Sequence, residues 1–243
     1  MPSNTLTLQS SIYWAQLHIG RRPLALLNGG VTLEPALTSA NIVIQTMLQP
    51  PFRWRWNRNT VTFSITGAGG SDYQQAVPDF GFIEKASVLD SGTPAKIWEV
   101  PDIKQELTQD AGSGRPSAVA PYLDDNNGNI TFRFMPGVPD QNYTATITYQ
   151  KQPVLMTALT SIWPIPDRYG FVYQQGFLGM MYLFADDMRS AFMLQKFMAG
   201  LLAVAEGLTE QERNAFMDNW KFAIESQRAS AKAGQGLTAR AAS

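Results

Sequence analysis

A Ser–His–Asp or Cys–His catalytic site in this chain would have to use His18, because it is the only histidine, and there is no cysteine. No G-x-S-x-G elbow supplies a nucleophile for His18, and a single histidine rules out the HExxH zinc motif. His18 stands between Leu17 and Ile19 in a predicted helix, which favours a packing or surface position. The sequence therefore contains few residues that could support nucleophilic or metal-assisted catalysis.

Two loops match ligand-binding motifs only in part. Gly67–Gly70 lacks the Lys-Ser/Thr that completes a phosphate loop, and Asp72 occupies the third glycine position of the dinucleotide fingerprint. In Asp124–Asn129, an EF-hand register would place Leu123 and Phe134 where calcium requires carboxylates. We predict an inter-strand loop for the first segment and a hairpin tip for the second.

The adjacent carboxylates Asp124-Asp125 and Asp186-Asp187 do not form an acid–base pair by spacing alone. Neighbours in a strand point to opposite faces, and neighbours in a helix do not share one. We predict that the chain has no catalytic residue, no metal ligand and no cofactor, and that it is not an enzyme.

The segment Phe52–Arg58 alternates aromatic and basic residues. Such interleaving can stack nucleic-acid bases or sugars, and it is equally the pattern of an amphipathic strand. We favour the strand, with three aromatic side chains in the core and Arg53, Arg55 and Arg58 outside. The exposed arginines could pair with acidic residues of a neighbouring subunit.

The composition favours self-association. Charged residues make up 16% of the chain and the net charge is −1, against roughly 25% charged residues in an average soluble domain. Interface cores lose charged residues and gain aromatics, and the chain has six tryptophans. Met1–Gln9 has no features of a secretory signal, and the apolar run Phe177–Ala185 is far shorter than the ~20 residues that span a bilayer. We predict a homo-oligomer without a membrane segment.

The sequence predicts two helices in the N-terminal region. Ser10 and Ser11 can cap a first helix through Ile19, and Glu34-Pro35 begins a second helix that Pro50-Pro51 ends.

From residue 52 the apolar pattern has a period of two, which predicts strands. Asn127-Gly128 fits the two central positions of a type I′ hairpin turn, while Gly67–Asp72 is predicted as a loop. Six or seven short strands predict an antiparallel sandwich or barrel-like module. Besides the strands on either side of residue 58, we predict strands at Gly81–Leu89, Ala95–Val100, Ser117–Leu123, Ile130–Phe134 and Tyr143–Tyr149.

The C-terminal region returns to helices. Asp167 is a candidate N-cap for a helix that begins near Arg168, Gly207 ends the next apolar pattern, and Thr209 with Glu212 forms a capping box for the last helix. We predict an α+β fold in which the N- and C-terminal helices form a helical bundle, with the antiparallel β-sandwich or barrel-like module inserted between them along the chain. The predicted boundaries are 1–50, 51–155, 156–228 and a flexible or partner-ordered tail at 229–243.

Four segments resemble phage head-to-tail connector proteins, particularly the adaptor or tail tubular protein A group. These segments are Pro51–Asn57, Asp79–Ser87, Trp163–Tyr169 and Gly207–Arg213, and the likeness covers roughly residues 10 to 230. The resemblance implies a virion structural protein of the neck, assembled in the host cytoplasm as a ring of twelve subunits beneath the portal. Its partners would be its own copies, the portal protein and a downstream tail or nozzle protein, with non-specific proximity to channel DNA.

The resemblance also implies roles for particular residues. The C-terminal tail would enter the portal, with Lys232, Gly234, Gly236, Leu237 and Arg240 as the candidate portal-binding residues. The candidate residues for contacts between subunits are Arg53, Arg55, Arg58, Arg168, Tyr169, Met188 and Arg189.

Two alternatives of other classes remain open on the sequence. A tail-associated β module could bind carbohydrate or a receptor, which would require exposed Trp or Tyr side chains in a groove. A hydrolase acting on polysaccharide or peptidoglycan would require two carboxylates facing each other across a cleft.

Overall fold

The computed structural model describes residues 4–19, 34–99, 112–185 and 187–219. These residues fall into two compact units. Residues up to Met47 and from Val154 onward form one unit, which is helical, and Leu48–Pro153 form the other, which is built on a β-sheet.

The described residues contain five α-helices. They are α1 (Leu8–Ile19), α2 (Ala36–Leu48), α3 (Gly170–Phe184), α4 (Arg189–Val204) and α5 (residues 210–219).

Helix α2 forms where the apolar spacing predicts it. Ala36, Ala40, Val43, Ile44 and Met47 recur at helical intervals on one face, and all are buried. The carboxylate of Glu34 accepts hydrogen bonds from the N–H and hydroxyl of Thr38.

Helix α1 begins earlier than the two serines predict. Its first residue is Leu8, and Thr7 provides the cap instead of Ser10 and Ser11. The Ser10 N–H donates to Thr7 Oγ1 at 3.1 Å, and the Thr7 N–H donates to Ser10 Oγ at 3.0 Å. Ser11 is free to face the core, where it is fully buried.

The prediction that Asp167 caps a helix was wrong. Asp167 opens a 3-10 turn, Asp167–Tyr169, whose N-cap is Pro166, and Tyr169 is the N-cap of α3. The carboxylate instead accepts the N–H and hydroxyl of Thr5, at 2.8 and 2.6 Å, and so binds the N-terminal segment. The capping box of α5 is confirmed, because Glu212 accepts the Thr209 N–H and donates its own N–H to Thr209 Oγ1.

The core of the helical unit is centred on Trp163. Its indole is fully buried, stacks on the Tyr173 ring at a centroid distance of 4.4 Å and meets Phe177 edge-on. The indole N–H donates to Ser11 Oγ at 2.9 Å, in the buried interior. Trp163 therefore joins α1 to α3.

The β unit contains a seven-stranded, nearly closed barrel-like sheet in the order β1-β9-β3-β4-β6-β7-β2. A separate two-stranded sheet pairs β5 with β8. The strands are β1 (Arg58–Ile65), β2 (Asp72–Ala76), β3 (Phe80–Asp90), β4 (Thr93–Glu99), β5 (Ser113–Gly114), β6 (Ala118–Asp124), β7 (Asn129–Met135), β8 (Val138–Pro139) and β9 (Tyr143–Lys151).

The period-two pattern correctly predicts which side chains face the barrel interior. Along β7, Ile130, Phe132 and Phe134 are buried while the residues between them are not. Along β9, Ala145 and Ile147 point inward in the same way. Neighbouring strands of the large sheet are antiparallel, except that β4 and β6 are parallel. The prediction of an entirely antiparallel module was therefore wrong for this pair of strands.

The predicted strand over residues 52–57 was wrong. Phe52 and Trp54 are buried as expected, but residues 55–57 form a 3-10 turn and β1 begins only at Arg58. The Trp54 N–H donates to the side chain of Gln150, and Asn57 Nδ2 donates to the carbonyl of Lys151. The Gln150 side chain and the Lys151 carbonyl, both on β9, thus accept hydrogen bonds from residues 54 and 57 in place of a regular strand pairing.

Two further details of the β unit differ from the sequence prediction. Strand β2 (Asp72–Ala76) begins at the last residue of the predicted loop at 67–72 and was missed. The β6–β7 hairpin is confirmed, but its positive φ angles fall at Asn126 and Gly128 rather than at Asn127 and Gly128. The Asn127-Gly128 pair is therefore not the centre of a type I′ turn.

Close packing of α3 against α4 depends on glycine. A Cβ atom at Gly179 would lie 2.9 Å from Leu194 Cγ and 3.1 Å from the Leu194 backbone nitrogen, whereas one at Gly200 would lie 3.5 Å from the nearest atom, on Val172. We expect Gly179→Ala to lower the free energy of unfolding by about 1–2 kcal/mol, because overpacking outweighs the gain in helix propensity. The matched control Gly200→Ala should raise it by up to ~1 kcal/mol. Urea unfolding followed by helical circular dichroism measures both, and equal effects would contradict the close approach.

Candidate interaction surfaces

Arg58, a candidate for contacts between subunits, is bound within its own subunit. Its guanidinium forms an ion pair with Glu84 on β3, with Nε donating to Oε2 at 2.6 Å. The Glu84 side chain is only 12% exposed and also accepts from Gln150 Nε2 at 2.8 Å. Gln150 in turn accepts the Trp54 N–H. Arg58 thus belongs to a network that fixes the start of β1 beside the buried aromatic segment.

The ionisation of Glu84 depends on this network. Burial disfavours the charged carboxylate, but hydrogen bonds from Arg58 and Gln150, together with the positive charge of Arg58, more than offset burial and hold the pKa of Glu84 below its ordinary value.

The other two arginines of the predicted strand have different surroundings. Arg53 is half-buried before the 3-10 turn, while Arg55 is exposed within it. Since residues 52–57 are not a strand, the three arginines do not form one outward-facing row.

The candidates of the helical unit lie at opposite ends of α3. Arg168 and Tyr169 precede the helix, and the Arg168 guanidinium lies 4.9 Å from the centroid of the Tyr169 ring. Met188 and Arg189 follow the helix. The fifteen residues of α3 span about 22 Å, so the structure does not bring the two pairs together.

At the α3–α4 turn, Arg189 fastens the turn to α1. Its guanidinium donates to the carboxylate of Asp187 at 2.7 Å, lies over the Tyr182 ring, and reaches the His18 carbonyl at 3.5 Å. The Tyr182 hydroxyl donates to the same carbonyl at 3.1 Å. The His18 side chain is exposed and its ring lies 4.5 Å from that of Trp14, so His18 takes a surface position.

Large apolar side chains are exposed around this same turn. Met188 is 96% exposed, and it is the one residue of this group that the sequence analysis predicted as a contact between subunits. The others are Leu183, Phe184 and Phe192. The sequence of α3 does indicate exposed apolar side chains. Its apolar residues are too many for a single buried face, and they continue past the face that packs on α1 and α4.

The Asp124–Asn129 loop uses its carboxylates to build the turn. Asp125 accepts the backbone N–H groups of Asn127 and Asn129 at 2.8 and 3.0 Å and Asn129 Nδ2 at 2.6 Å. These hydrogen bonds lower the pKa of Asp125. Across the described part of the chain, no three His, Cys, Asp or Glu side chains converge as metal ligands would.

The candidate portal-binding residues Lys232, Gly234, Gly236, Leu237 and Arg240 lie outside the described residues. Within 4–219, apart from the gaps given above, no helix combines the length and apolar character needed to cross a bilayer.

Removing the Arg58 side chain should expose the dependence of the β unit on Glu84. We expect Arg58→Ala to lower the free energy of unfolding at neutral pH by about 1–2 kcal/mol, after allowance for solvent screening. Because the pKa of Glu84 is depressed in the folded state, this stabilisation is present above the unfolded pKa and is lost as pH falls through the folded pKa. The difference between wild type and variant should therefore shrink below about pH 4. Urea titrations at several pH values test this, and a pH-independent difference would contradict it.

Comparison with known proteins assigns the chain to a family. The model for the SU10 adaptor protein matches residues 36–220, which include α2, the whole β unit and helices α3, α4 and α5. No curated protein matches the chain. The predicted resemblance to phage adaptors is confirmed at the level of the family. Since the match covers most of the sequence, the chain belongs to the SU10 adaptor protein family, a family of phage adaptors with a structural role.

Proposed function

We propose that the protein is a head-to-tail adaptor of the virion neck, built of identical copies in a ring that docks beneath the portal. The ring extends the DNA channel and supports attachment of the next tail or nozzle component. Membership of the SU10 adaptor protein family across residues 36–220 is the observation that carries this proposal. The proposal includes a ring of twelve copies, likeness to the tail tubular protein A group, and assembly in the host cytoplasm.

The composition supports a multi-copy assembly. With 16% charged residues and a net charge of −1, identical copies repel one another little, and low net charge favours association. A ring requires two unlike faces on each subunit, which meet in a heterologous contact that closes by rotation. Helices α3 and α4 would contribute a helical bundle to the wall of this ring.

The α3–α4 turn is the best candidate for one of these two faces. Leu183, Phe184, Met188 and Phe192 are exposed there, beside the ion pair of Arg189 with Asp187. An apolar centre with a charged rim is the usual anatomy of a protein interface. Arg168 and Tyr169, at the other end of α3, would belong to a different contact.

A charge at Met188 should weaken the ring without weakening the subunit. Met188 is 96% exposed, so Met188→Glu should leave the unfolding midpoint unchanged and weaken self-association at least tenfold, about 1.4 kcal/mol per contact. Gln195→Glu places the same charge at another exposed position of α4 and serves as the matched control. Native mass measured over a concentration series distinguishes them, and identical dissociation curves would remove this turn from the interface.

The C-terminal tail is proposed to bind the portal. Residues 229–243 are rich in Ala, Ser and Gly, which suit a narrow groove, and Lys232 and Arg240 could pair with portal carboxylates. Ordering such a tail costs conformational entropy, which many copies acting together can overcome. We expect truncation after Ala229 to abolish attachment to portal rings while leaving the subunit folded. Unchanged cosedimentation with the portal would exclude this role.

The adaptor proposal as a whole is tested by native mass and electron-microscopic class averages, with and without portal protein. The expected result is a ring that attaches to one end of the portal. A stable monomer that ignores the portal would overturn the proposal.

One observation favours the carbohydrate-binding alternative. Trp98 on β4 is 66% exposed, and the ammonium group of Lys96 lies 4.5 Å from the centroid of its ring. Exposed tryptophan rings can stack on sugars. Binding of Trp98→Ala and wild type to host-cell polysaccharide separates the alternatives, because the adaptor function requires no such binding.

A further inference from the structure

Strands β1 and β2 are consecutive in the chain, yet they form the two opposite ends of the strand order. β1 pairs with β9 and β2 pairs with β7. Within the residues that the structure describes, no strand is paired to the other side of β1 or of β2. The barrel therefore has one gap, and backbone N–H and C=O groups line both of its sides.

The interior is incompletely covered at this gap. Val61 and Phe63 on β1 and Tyr73 on β2 pack against the core but stay only partly buried. Ala145 on β9 and Phe132 on β7 are completely buried, as is Ile65 at the end of β1, whereas Phe80 on β3 and Ala95 on β4 are also only partly buried. The Phe63 ring lies 6.3 Å from that of Tyr73 and 5.9 Å from that of Phe132, so aromatic rings form the floor of the gap.

Strand β1 lacks the features that normally protect an edge strand. Its register with β9 is continuous over all eight residues, with no bulge. It contains no proline, and it has no charged residue after Arg58. Edge strands of soluble proteins are usually short, charged, interrupted or covered. A long, regular and uncharged edge is the kind that accepts a further strand.

We propose that β1 accepts an extended segment from a second copy of this chain, which adds a strand to the sheet and covers Val61 and Phe63. This inference rests on the proposed function, which places identical copies side by side. The neighbouring copy is then present at a high effective concentration at every gap.

Charge also favours a second copy. Two ionic side chains beside the gap are already neutralised, Arg58 by Glu84 and Asp72 by Arg133, so neither gives a preference for a strongly charged partner. The chain itself offers uncharged apolar sequence at its surface: residues 152–166 contain no charged side chain, and Val154 and Leu155 within them are exposed.

Lysine substitutions at two facing positions test the proposal. Thr62 on β1 lies opposite Thr146 on β9, and their hydroxyls are 3.4 Å apart on the outer face of the sheet. Thr62→Lys places a charge at the edge and should weaken self-association at least tenfold. Thr146→Lys places the same charge on the same face of a strand that is paired on both sides, and it should leave self-association unchanged. Equal weakening by both variants would mean that the face makes the contact, and would overturn the inference.

Hydrogen exchange of the wild type supplies a measurement that does not depend on a variant. On assembly, alternate amides of β1 should exchange at least tenfold more slowly than in the monomer. A ring in which β1 amides exchange at the monomer rate would overturn the strand inference and leave the adaptor proposal standing. Protection that appears only after portal or tail protein is added would exclude the second copy as the occupant. A chain that neither self-associates nor binds portal would overturn both.

Discussion

The helical unit depends on joining two parts of the chain that are separated by the whole β unit. The buried indole of Trp163 makes this connection, through its hydrogen bond to Ser11 and its stacking on Tyr173. The loss of chain entropy on closing a long loop grows only slowly with its length. A large insertion is therefore compatible with a stable helical unit, provided that the contacts at the junction are specific and well buried.

The polar contacts around Trp163 make the junction specific. Asp167 binds the backbone and hydroxyl of Thr5, and Asn41 exchanges two hydrogen bonds with the backbone of Met156. Each links a residue from before the β unit to one from after it. Burial of apolar surface supplies most of the stability, while these directional contacts select one register between the two parts of the chain.

The local patterns of the sequence predicted what local physics determines. The helical spacing of α2, the capping box of α5 and the alternation along β1 and β7 follow from the backbone periods of 3.6 and 2. Residues 52–57 also alternate, but their hydrogen bonds go to Gln150 and Lys151, which lie far away in sequence. Asp167 likewise had the residue type of a helix cap, yet its partner Thr5 belongs to the other end of the chain. Patterns within a short window contain no information about such partners. The same reasoning explains why the ion pair of Arg58 with Glu84 of its own subunit was not predicted.

The family match begins at residue 36, and helix α1 lies entirely before it. Helix α1 nevertheless contributes Leu8, Ser11, Ile12 and Ala15 to the buried interior of the helical unit. It also accepts, at the His18 carbonyl, the hydroxyl of Tyr182. A helical unit built from the matched residues alone would lack the Ser11 hydroxyl that accepts the Trp163 N–H. The structural unit in this protein is therefore larger than the segment that identifies the family, and α1 belongs to the surface on which the exposed α3–α4 turn is held.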